Sequence, residues 1–151
     1  DASPKSTTQI VREGFNRACT DFTKLAAPFG FSRLKTRFWS RQADGFNDII
    51  HFHRSGVSYG APRNNSIAIR VHYASHPGQL PDPIALNGPC SDELRDSRGY
   101  AYHLRFNALT WSTYDRCLDD LMRVLQDHGL PWFAEQRVNN SFKPSPLRGL
   151  G

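Results

Sequence analysis

Four of the six histidines of this chain stand at spacings that could gather them on one surface. His51 and His53 are separated by one residue. His72 and His103 each lie in a stretch where apolar and polar residues alternate. On a strand, residues two apart share a face, so His51 and His53 face the same way. Arg70 and Arg105 occupy the matching polar phase beside His72 and His103. Two imidazoles at His51-x-His53, with His72 from a neighbouring strand, would suit zinc or iron with an open coordination position. The downstream carboxylate of a cupin-type site is missing, because residues 54–60 contain no Asp or Glu. No metal ligand and no cofactor are therefore assigned, and a His-ligated metal protein stands as the second alternative.

Other chemistries find less support. There is no Gly-x-Ser-x-Gly elbow, and no cysteine sits beside a plausible base. Gly56-x-x-x-Gly60 lacks the Lys-Ser/Thr of a phosphate-binding loop. The carboxylates crowd into residues 91–96 and the helix beyond residue 112, which offers no separated acid–base pair. The expectation is a chain that is not an enzyme and has no catalytic residues. Cys19, Cys90 and Cys117 form no C-x-x-C pair and read as reduced thiols, two of them in helical patterns.

A net charge of +5 favours acidic partners. The candidate binding residues are His51, His53, Arg70, His72, His103 and Arg105. Trp39 is the exposed aromatic of the same face, and Arg37 and Arg41 join it from their strand. Two loops flank the face: residues 55–65, with Tyr59 and Arg63, and residues 74–99, with His76. Protonation of clustered histidines near pH 6 would raise the positive charge of this surface. The expected partner is a protein, as for a toxin-neutralising or adaptor module. The alternative is nucleic acid, for which arginines beside a stacking ring are the signature. No run approaches the length of a membrane-spanning helix and no signal peptide is visible, so the expected compartment is the cytoplasm, without membrane association.

These residues need elements to hold them. Ser6 with Gln9 has capping-box spacing. Val11, Phe15, Ala18, Phe22, Leu25 and Phe29 then make one stripe of a helix, stopped by Pro28 and Gly30. Residues 37–42 and 46–54 read as strands joined by Asp44-Gly45, a hairpin signal. Residues 66–73 alternate cleanly, as do 100–106. Tyr114, Leu118, Leu121 and Leu125 stripe a second helix after Ser112 and Asp115. Gly129 would end it and Pro131 begin a short last helix. The expected fold is α+β: a mainly antiparallel sheet of three to four strands, with two main helices on one face and the other face wet. Residues 1–137 make the single domain and residues 138–151 a flexible tail.

Leu25-Ala26-Ala27-Pro28-Phe29-Gly30-Phe31, Phe38-Trp39-Ser40-Arg41, Ile49-Ile50-His51-Phe52 and Gly129-Leu130-Pro131-Trp132-Phe133 together resemble the bacterial "domain of unknown function 4304" family, over roughly residues 15 to 135. The resemblance implies this fold and a bacterial origin. It implies no activity, since that family has none to carry over.

Overall fold

The computed structural model describes residues 4–55 and 64–142. Helix α1 spans Thr7–Ala26. Its Ser6 cap accepts a hydrogen bond from the Gln9 amide at 3.2 Å, which satisfies one orphan N–H of the first turn. Val11, Phe15, Ala18, Cys19 and Phe22 are buried, while Leu25 turns 40 % outward and Ala26 takes the inner position. The chain then tightens into a 3-10 turn over Ala27–Phe29 and leaves through Gly30 at φ +91°.

Five antiparallel strands follow as a simple meander: β1 (Ser32–Lys35), β2 (Phe38–Ala43), β3 (Phe46–Ser55), β4 (Ser66–Pro77) and β5 (Arg105–Asn107). The count exceeds the expected three to four because β1, wholly exposed and polar except for Leu34, has no alternation to reveal it. Asp44 and Gly45 both take positive φ, as the hairpin signal requires. The strand expected over residues 100–106 forms only at its end. Tyr100 is 63 % exposed, whereas Tyr102 and Phe106 are buried.

Residues 78–104 are tied to the free edge of β4. Asn87 brackets the Ser75 main chain from both sides at 3.0 Å. Tyr73 N–H donates to Pro89 O, Gly88 N–H to Tyr73 O, and Ile69 N–H to Leu104 O. The Val71 amide donates to Ser91 Oγ at 2.9 Å. A sheet edge that would be open is thereby satisfied along most of its length.

The helices cover one face. Ile50, Phe52, Ile67, Ile69, Val71 and Tyr73 pack with the inner residues of α1 and of helix α2 (Tyr114–Val124) in one core. Trp39 belongs to that core rather than to the wet face, and is fully buried. It pairs in register with Ile50. Its ring lies 4.5 Å from Phe52 and 5.0 Å from Phe22, and its Nε1–H donates to Thr23 Oγ1 at 2.9 Å. Arg37, Trp39 and Arg41 share a phase, but on β2 that phase faces the helices; Phe38, Ser40 and Gln42 point the other way.

Gly129 does not end a helix. Helix α2 passes through a π turn over Leu125–Gly129 directly into α3 (Leu130–Phe142). The Leu130 amide donates to Leu125 O, five residues back. The wider turn accommodates Pro131, which has no N–H and would crowd the carbonyl four residues before it. Helix α3 continues to Phe142, beyond residue 138 where the tail was expected to begin.

Arg137 fastens α3 to the β2–β3 hairpin. The Asp48 carboxylate is fully buried and accepts from Arg137 Nη1 at 2.6 Å and Nη2 at 2.7 Å, from Arg41 Nη2 at 2.8 Å and from Ser75 Oγ at 2.8 Å. A buried charge persists only when paired and fully hydrogen-bonded, which this one is.

Candidate functional site

The second sheet face carries the histidines, in two halves with different environments. In register, His51 lies opposite His72, His53 opposite Arg70, and Ala68 opposite both Ser55 and Arg105. Towards the hairpin the face is closed. Ile49 and Ala74, both on this side, are fully buried. His76 Nε2–H donates to Ala85 O at 2.6 Å and His72 Nε2–H to Gly88 O at 3.1 Å. The expectation of a uniformly wet face is thus corrected: residues 78–88 cap this half, and His72 and His76 are fixed to the cap.

His51 marks the boundary. Its ring lies 4.4 Å from Phe38, and its Nδ1 is buried without a hydrogen-bond partner. Burial, with the nearby His53, His72 and Arg37, pushes its pKa down to about 4. His53 is lowered by burial and by Arg70 and Arg37. His103 is lowered by burial and by Arg116 and Arg105. A switch to positive charge near pH 6 therefore does not follow for these three: the cations that make the face basic also hold its imidazoles neutral.

At the far end the face is open. His53 and Arg105 are exposed, and Arg70 stands 3.6 Å from Asp92, beyond hydrogen-bond length. Here a cleft of about 390 Å³ opens, lined by Ser55, Asp92, residues 101–105 and Arg116 of α2. The His103 amide donates to Asp120 Oδ2 at 2.6 Å, which fixes this wall against the helix, and His103 Nε2 is buried and unpartnered. The side chains of Arg105 and Arg116 carry no ion pair or hydrogen bond to described residues. Arg116 escaped sequence reasoning because an arginine on an acidic, exposed helix stripe reads as solvated. Tyr59 and Arg63, the proposed loop contributors, lie outside the described residues.

A larger cleft of about 570 Å³ at the hairpin tip is lined by residues 42–47 and 78–80. Asp44 is its only titratable lining residue, so it offers no convergent chemistry. Among the described residues, no three His, Cys, Asp or Glu side chains are placed to hold one metal ion. Burial pushes the Cys19 thiol up to about 11 and the Cys117 thiol up to about 12, so both are poor nucleophiles. Among the described residues, no helix is long and apolar enough to cross a membrane. In comparisons with known proteins, no family model, curated protein or solved structure matches the chain.

Proposed function

We propose that this chain is a non-catalytic binding module that docks an acidic protein surface on the open end of its sheet, through His53, Arg70 and Arg105 of the sheet and Arg116 of α2. One observation carries the reading: Arg105 and Arg116 line a single cleft, and among the described residues no carboxylate is bound to either. Several other guanidinium groups are held by the fold, as Arg41 and Arg137 are by Asp48 and Arg123 is by Asp120. Arginines that converge at a cleft mouth without partners are available to a ligand, and arginine is among the residues that dominate interfaces. A bacterial adaptor or toxin-neutralising role fits such a surface. Single-stranded nucleic acid is held on stacking rings beside arginines, and burial of Trp39 removes the ring that favoured it.

The test is comparative capture. Immobilised chain and an Arg70→Gln/Arg105→Gln/Arg116→Gln variant are presented with lysate of the source cell at about 0.1 M salt, where surface charges still act over roughly 10 Å. The expected result is an acidic protein held by the parent chain, absent from the variant and released at high salt. Equal retention on both proteins removes this surface from the function. Retention of RNA or DNA alone, lost with the variant, moves the assignment to nucleic acid.

A further inference from the structure

We propose that the cleft between β5 and α2 takes a phosphate monoester dianion between the guanidinium groups of Arg105 and Arg116. The proposal rests on the reading above and deepens it, by naming the group of the acidic partner that enters the cleft.

Charge selects the ligand. Of the carboxylates near the cleft, Asp92 faces Arg70, and Asp120 is bound to Arg123 and to the His103 amide. Asp119 is exposed one turn beyond Arg116 on α2. The Arg105 and Arg116 side chains have no ion pair among the described residues. A side-chain carboxylate would neutralise one of them, whereas a phosphate monoester at neutral pH carries between about −1.5 and −2. Guanidinium forks also match phosphate oxygens in pairs. His53 and His103, both with lowered pKa, add no competing charge at neutral pH. At Asp48 two arginines close on a carboxylate inside the protein; at the cleft Arg105 and Arg116 are exposed to solvent.

The experiment is calorimetric titration with free O-phosphoserine, a phosphoserine peptide and sulfate, on the parent chain, Arg105→Gln, Arg116→Gln and Arg12→Gln. Arg12 is an exposed residue of α1, so its variant controls for net charge. Phosphoserine should bind the parent and the Arg12 variant alike, and about tenfold or more weakly with either cleft arginine replaced, as for loss of a charged hydrogen bond. Tighter binding of the peptide assigns the phosphate to a protein partner; equal binding assigns it to a small phosphate ester.

The pH dependence separates the arginines from His103 and Asp92, which line the cleft with them, and from His53, Arg70, Asp115, Asp119 and Asp120 on the surrounding elements. Between pH 8 and pH 6 a phosphate monoester gains a proton, with its second pKa near 6, while sulfate keeps its charge. Phosphoserine affinity should fall over this range and sulfate affinity stay level. Both rising toward pH 6 would mean that the imidazoles hold the anion and would overturn the proposal, as would equal losses from all three variants. If the acidic partner is captured but phosphoserine does not bind, the docking surface stands and the phosphate site falls. If phosphoserine binds and no acidic protein is captured, the reverse holds.

Discussion

His51 shows how one side chain reports the chemistry of its half of the sheet. Its ring is wedged against Phe38 with Nδ1 buried and unpartnered, and its pKa is held down to about 4. The unfolded chain would protonate it near 6.5. Between pH 6.5 and 4 the unfolded state therefore binds the extra proton, and stability is lost as pH falls through that window. Allowing for partial exposure of the ring, the loss is about 2 kcal/mol. His51→Phe should flatten this slope, read as urea midpoints at pH 7.5 and pH 5; an unchanged slope would mean that the ring titrates normally. Asp48 makes a separate demand. Asp48→Ala would leave the partly buried guanidinium groups of Arg41 and Arg137 without their shared carboxylate. Such a break costs about 3–5 kcal/mol, a shift that thermal unfolding would show directly. Neither Arg41 nor Arg137 was recognisable as a partner of Asp48 in the sequence. Arg137 lies far along the chain; Arg41 faces Asp48 across the hairpin, but in the sequence its phase reads as the wet face.

Among the elements, the α2–α3 junction carries the most unusual local structure. A Cβ on Gly129 would lie 2.9 Å from Tyr73 Cζ and 2.9 Å from Leu125 Cδ1, so the close approach of the buried Tyr73 ring dictates glycine here. Gly129→Ala sets two effects against each other. Alanine is the better helix former by about 1 kcal/mol, and overpacking a core costs about 1–3 kcal/mol. Because the obstructing atoms include a ring fixed in the core, we expect net destabilisation of about 1 kcal/mol, measurable as a lowered urea midpoint; a stabilised variant would show that the ring can shift. Helix α1, the Asp44-Gly45 hairpin and the phase of β4 were legible because each is written in local patterns: a cap with a stripe, a turn that needs positive φ, and an alternation. The β2 phase was not, since Arg37, Trp39 and Arg41 alternate against Phe38, Ser40 and Gln42 with apolar residues in both sets. The π turn was not, because glycine followed by proline two residues on is also how a helix ends. Pairing of residues 87–91 with β4 depends on long-range hydrogen bonds that leave no periodicity.

For the molecule as a whole, the question is which basic and imidazole groups serve the fold and which remain for a partner. The capped half of the polar face binds His72 and His76 to carbonyls of residues 88 and 85. The open half exposes Arg105, with Arg116 of α2 beside it, and neither side chain has an ion pair or hydrogen bond among the described residues. The two halves should respond oppositely to substitution. His72→Ala would remove the donor to Gly88 O and loosen the cap, at a cost of about 1 kcal/mol for a partly buried hydrogen bond, while affinity for the proposed acidic partner should be unchanged. Arg105→Gln and Arg116→Gln remove exposed charge, so stability should stay within about 0.5 kcal/mol. On the proposed docking surface their effect should fall on association, because like-signed surface charge steers an oppositely charged partner and the steering is screened by salt. Stopped-flow association with the captured partner, measured from low to high salt, should show a reduced rate and a shallower salt dependence in both arginine variants. His72→Ala should superimpose on the parent curve. Unfolding midpoints of the same samples supply the second axis. An association rate that falls in His72→Ala as much as in the arginine variants would mean that the capped half also belongs to the interface, and the division of the face at His51 would be wrong.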